Sequence, residues 1–140
     1  MRPELRSVLV VSLTLALAPG PVFSSEAEDQ AVKAAEAWLE LVDRGEYEES
    51  WNEAATLFKS AVTVDQWQQA LNASRKPVGE KKSRKIRSAK YTTSLPGAPD
   101  AEYVVIQFDA SFSKKKTAVE TVTPMKDGDG NWRVSGYFIK

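Results

Sequence analysis

The spacing of apolar side chains changes once along this chain, and that change constrains the fold more than any other feature. Up to Arg75 they recur about every 3.6 residues, the repeat of a helix buried on one face. Beyond Gly79 they alternate with a period of 2, the repeat of a strand. Helices first and strands afterwards, with no strand–helix alternation, predict an α+β fold: three N-terminal helices packed on a curved antiparallel sheet of about four strands.

Three helices can be placed. Over residues 26–44, Ala27, Ala31, Ala34, Trp38, Leu41 and Val42 form one stripe, and Gly45 stands where a left-handed residue would end the helix. Over residues 46–59, Tyr47, Trp51, Ala54, Ala55 and Phe58 again share a face. A third helix is predicted over residues 64–75. Thr63 caps it, Gln66 completes a capping box, and Val62 and Trp67 occupy the hydrophobic-staple positions, before Pro77 stops it.

Strands are predicted over residues 85–95, 102–112, 117–125 and 132–139. In the second, Val104, Ile106, Phe108, Ala110 and Phe112 face the core, leaving Tyr103, Val105, Gln107 and Asp109 on the opposite face. In the last, Trp132, Val134, Gly136 and Phe138 are predicted to share a face, with Trp132 buried over the end of the core. The glycine-rich segment 127–131 reads as the preceding hairpin loop.

The N-terminus reads differently. Arg2 and Arg6 precede an uncharged apolar run at residues 7–18, then Pro19, Gly20 and Pro21, then small residues; this is the order of a signal peptide, with cleavage expected after Ser24. The division is thus a signal peptide at 1–24 and one α+β domain at 26–140. The apolar run is shorter than the roughly 20 residues a membrane span needs, so export without a stable membrane anchor is expected, to a bacterial periplasm or the exterior.

The chain of 140 residues has no cysteine and no histidine. Disulfides, thiolate sites and every Ser-His-Asp or Cys-His set are therefore excluded, and no cofactor, metal or catalytic residue is assigned. Without residues 1–24, the 19 basic groups fall to 17 and the 19 acidic ones to 18, leaving a net charge of −1. Residues 25–65 hold 11 acidic and 3 basic groups, and residues 66–140 hold 7 and 14. Solvated faces of opposite sign explain this best.

The segments WLELVDRGEYEESW (38–51), YTTSLPGAPDAEYVVIQFDASF (91–112) and ETVTPMKDGDGNWRVSGYFIK (120–140) resemble an exported bacterial family, domain of unknown function 4019. The resemblance implies a secreted or envelope protein and carries no activity. The order of elements, with the segment Asp43-Arg44-Gly45-Glu46-Tyr47, also resembles the cystatin-like fold of the nuclear transport factor 2-like superfamily.

Several constellations have a chemical reading and a structural one. Asp127-x-Asp129-x-Asn131 opens like a calcium loop, but Trp132 stands where an EF-hand needs glycine and Phe138 where it needs an acid, so a hairpin turn is expected. Lys81, Lys82, Arg84, Lys85, Arg87 and Lys90 suggest phosphate contacts. Aromatic stacking groups are sparse among them, so a solvated edge strand is preferred to a nucleic-acid surface. The sequon Asn72-Ala73-Ser74 falls inside the third helix, which disfavours glycosylation. Trp38, Trp51, Trp67 and Trp132 are read as core.

Tyr47, Trp51, Tyr91, Asp109, Arg133 and Tyr137 are the candidate pocket or surface residues, able to line a cavity if the sheet curls around the helices. The leading expectation is an exported, non-catalytic binding or assembly module, with homodimerisation through the second sheet face an option. The alternative is a small-molecule enzyme with its site in a cone between helices and sheet, distinguished by whether that cone is open or filled.

Overall fold

A computed structural model describes residues 23–140. Apart from its last two residues, the predicted signal peptide lies outside the described residues. The helices are α1 (Phe23–Asp43), α2 (Tyr47–Asn52), α3 (Thr56–Ala61) and α4 (Val64–Ser74), followed by a single 3-10 turn at Lys76–Val78. The strands are β1 (Lys81–Thr92), β2 (Tyr103–Phe112), β3 (Lys115–Lys126) and β4 (Trp132–Ile139), all antiparallel to their neighbours in the order β1-β2-β3-β4. The α+β architecture is the one expected.

α1 buries Ala27, Ala31, Ala35, Trp38, Leu39 and Val42, a stripe rotated from the expected one. Ala34 and Leu41 stay half-buried at its flank, so the apolar surface of this helix is wider than the sheet beneath it covers. Gly45 ends α1 at a φ of 75°, where the Gly45 N–H donates to the Val42 carbonyl and the Glu46 N–H to the Leu41 carbonyl. Those two bonds make a Schellman motif and require the left-handed residue that glycine supplies.

The single helix expected over residues 46–59 is two. Ala55 leaves the helical region at φ −61°, ψ 151°, and its N–H donates to the Val134 carbonyl on the outer edge of β4 at 2.8 Å. Asp127 Oδ2 then accepts from both the N–H and the hydroxyl of Thr56, each at 3.0 Å, and so caps α3 from the far side of the fold. No glycine or proline marks the break, because long-range hydrogen bonds make it. α4 begins as expected: the Gln66 N–H donates to Thr63 Oγ1 at 3.2 Å and the Thr63 N–H to Gln66 Oε1 at 3.0 Å.

β1 starts earlier and stops sooner than its alternation suggests, since an edge strand exposed along most of its length carries no apolar pattern to mark its start. Its tail is held by Glu28 of α1, whose carboxylate accepts the Tyr91 N–H at 3.2 Å. β2 buries the predicted face. Tyr103, expected on the open face, is instead buried with Ala55 and Met125 under Leu57 and the 93–102 connection, its hydroxyl donating to the Pro99 carbonyl at 2.6 Å.

The predicted face of β4 is interrupted. Thr123 pairs with Gly136 and Pro124 with Val134, so Ser135 is an extra residue, and the bulge falls where Pro124 has no N–H to give the ladder. The strand changes phase there. Val134 and Tyr137 therefore both join the helix-side core, while Phe138 is 55% exposed on the other face.

The core lies between α1, α3, α4 and the inner sheet face. Trp38 and Trp67 meet at a centroid distance of 6.0 Å, Phe58 packs edge-on to Trp67 at 5.0 Å, and Tyr137 contacts Trp38 at 5.6 Å. Ser50, fully buried, joins them. Its carbonyl accepts the Trp38 indole N–H at 2.8 Å and its Oγ the Trp67 indole N–H at 2.9 Å.

Candidate functional site

The inner sheet face carries a buried carboxylate. Glu120 lies on β3 in phase with Ala118 and Val122 and is 0% exposed. Arg84, from β1, donates from Nε to Glu120 Oε1 at 2.7 Å and from Nη2 to Oε2 at 3.1 Å. The same guanidinium reaches Asp43 at the C-terminal end of α1, from Nη1 to Oδ2 at 2.7 Å and from Nη2 to Oδ1 at 2.9 Å. Arg75, which ends α4, donates from Nη1 to Asp43 Oδ1 at 3.0 Å and lies 4.6 Å above the Phe112 ring. The Tyr137 hydroxyl completes the cluster by donating to Glu120 Oε2 at 2.5 Å.

The two carboxylates face two guanidiniums, with Lys81 a third, more exposed cation 3.8 Å from Asp43, so no buried carboxylate is left unpaired. Burial opposes ionisation of Asp43, but its hydrogen bonds and charge contacts with Arg84 and Arg75 prevail and hold its carboxyl below the usual range. Burial and the adjacent Glu120 charge push the Tyr137 phenol well above its ordinary value. Burial opposes the charge on Arg84 as well, and its bonds to Asp43 and Glu120 outweigh it. Among the described residues, Arg75 Nε is a buried polar atom with no partner.

An acid and a tyrosine thus converge in the interior, but not the pair the sequence suggested. Both Glu120 oxygens are taken by Arg84, Oε2 is shared with Tyr137, and the tryptophan rings pack against the phenol. The cluster links α1, α4, β1, β3 and β4 chemically. Sequence reasoning missed Asp43, Arg75, Arg84 and Glu120 as a set. The signal available was Glu120 itself, a lone charge in step with inward-facing residues of a strand.

The six candidate residues are not brought together. Tyr137 is the one in the interior. Tyr47 is half-buried beside Gly45, and the Trp51 indole N–H donates to the Val62 carbonyl at 2.7 Å. The Tyr91 hydroxyl donates to Glu102 at 3.0 Å. Asp109 is exposed on the outer sheet face, 3.2 Å from Arg87.

Arg133 serves the hairpin loop: its two terminal nitrogens each donate to an Asp129 oxygen at 2.7 Å, and Asp127 is 3.3 Å away. The acids of the calcium-like opening are thus engaged by Arg133, a side chain of the same hairpin. Its bonds hold the Asp129 carboxyl below the usual range.

A surface groove of about 440 Å³ runs between α1, α2 and the start of β4. Ala34, Ala37, Leu41 and Trp132 supply apolar lining, and Glu49, Glu53 and Arg133 charged lining. Trp132, expected to be buried, is half-buried here, because the strand begins at the margin of the core and the α1 side chains facing it are small.

The chain matches the family model described as protein of unknown function (DUF4019) over residues 34–137, from within α1 to within β4. No curated protein matches it. With the match covering well over half its length, the chain belongs to the DUF4019 family.

Proposed function

We propose that the chain is an exported, non-catalytic binding or assembly module that acts through its outer surface. The observation that carries this is the filled interior: the space a cone-shaped active site would occupy holds Trp38, Trp67 and Tyr137, and the buried acid Glu120 is spanned by Arg84. Export rests on the order of charged, apolar and small residues in 1–24. A likeness to the cystatin-like fold is supported by helices lying across one face of an antiparallel sheet and by the turn at Gly45. Assembly would use the outer sheet face, where the exposed Phe138 shares a surface with Val105 and Gln107. Tyr103 is withdrawn from that surface by its own burial.

Native mass spectrometry of protein purified from its own envelope tests this, because it reports processing, bound partner and subunit count together. The expected result is a chain starting near Ser25 with a partner, ligand or second copy that Tyr137→Phe retains. A small molecule lost on Tyr137→Phe would place a working site in the interior and overturn the proposal.

A further inference from the structure

Three observations converge on the groove between α1, α2 and the start of β4. The first is the surplus apolar surface of α1: Ala34, Ala37 and Leu41 lie beyond the stripe that the sheet covers and line the groove. The second is Trp132. Trp38, Trp51 and Trp67 each donate their indole N–H to a protein acceptor, at 2.7 to 2.9 Å. Among the described residues Trp132 has no such acceptor; it is half-buried and lines both this groove and the smaller depression beside Glu26 and Gln30, so its indole offers exposed aromatic surface.

The third observation is charge. Glu49 and Glu53 are exposed in the groove lining, one helical turn apart, and neither forms an ion pair among the described residues. Glu49 accepts only from Asn52, at 3.4 Å. The cation in the lining, Arg133, is already held by Asp129 on two bonds.

An apolar lining, an aromatic ring and two carboxylates without cations complement an apolar body that carries one positive charge. Tryptophan is the side chain that best attracts a cation through its ring, and the groove volume falls in the range of small-ligand sites. We propose that this groove binds a small organic amine, its hydrocarbon or aromatic part on Ala34, Ala37 and Leu41 and its ammonium between Trp132 and the carboxylates of Glu49 and Glu53. The assignment rests on the reading of the chain as a binding module and gives that module a ligand class.

The test is a titration of the ¹⁵N-labelled exported protein with 2-phenylethylamine, following the four indole N–H signals, that of Trp132 being assigned by its loss in Trp132→Phe. The Trp132 signal should move saturably while those of Trp38, Trp51 and Trp67 stay in place. The neutral analogue 2-phenylethanol should bind about tenfold more weakly, a difference of about 1.4 kcal/mol. Glu49→Gln with Glu53→Gln should weaken the amine similarly and leave the unfolding midpoint unchanged. An unmoved Trp132 signal, or equal binding of amine and alcohol, overturns the assignment. If in that case native mass spectrometry still finds a partner bound elsewhere, the groove assignment falls alone; if it finds none, the binding-module reading falls with it.

Discussion

Tyr137 and Glu120 are diagonal neighbours on β4 and β3, and their side chains meet at 2.5 Å beneath Trp38 and Trp67. The contact depends on the bulge at Ser135, which brings Tyr137 rather than Phe138 to the inner face. Removing the hydroxyl leaves Glu120 Oε2 with Arg84 alone. Tyr137→Phe is expected to lower unfolding free energy by about 1.5 to 3 kcal/mol, the range for a hydrogen bond to a charged group. Urea denaturation of both proteins measures it.

Acid should act on this protein partly through Asp43. Its carboxyl titrates below the ordinary value in the folded chain, so its contribution is fully present above an unfolded value of about 3.9. Below that pH the unfolded state takes up the proton first, and stability is lost as pH falls towards the folded value. Denaturation midpoints should therefore decline less steeply below about pH 4 in Asp43→Asn than in the parent. Parallel declines would show that Asp43 is not held by Arg84 and Arg75.

The α4 capping box is the most local of the structural claims. Thr63→Ala removes the acceptor for the Gln66 N–H and should cost about 1 kcal/mol. An unchanged midpoint in chemical denaturation would contradict the cap.

Gly79 is required for a different reason. It has a φ of 79°, and a side-chain carbon there would lie 2.0 Å from Ser113 Oγ, which itself accepts the Glu80 N–H. Gly79→Ala should destabilise by more than about 1 kcal/mol, through backbone strain and displacement of that hydroxyl. Thermal unfolding of the variant checks it.

Legibility in the sequence followed the range of the forces involved. The Thr63–Gln66 box, the Gly45 stop and the alternation from Val104 to Phe112 are set by neighbours within a few residues, and each was readable. The break at Ala55 was not, because Val134 and Asp127, far away in sequence, make it. The phase change after Val134 escaped for a related reason: Pro124 on the facing strand sets the bulge. The interior cluster draws on five elements, and only the position of Glu120 among Ala118 and Val122 hinted at it. The groove was hidden because Trp132 looks like core by pattern, and only its place at the margin of the core, facing small α1 side chains, leaves it half-buried.

Glu120 is the buried ion-pair partner of Arg84, and the stability of Glu120→Gln measures that role most directly. A carboxylate kept for catalysis is often a strained group whose replacement stabilises the fold. Here the substitution leaves Arg84 buried beside Asp43 with half its anionic partners gone, and breaking a buried pair costs about 3 to 5 kcal/mol. Guanidinium denaturation of Glu120→Gln should show a loss of that size, with the fold near its limit. An unchanged or raised unfolding free energy would contradict the account and return the interior to consideration as a reactive site.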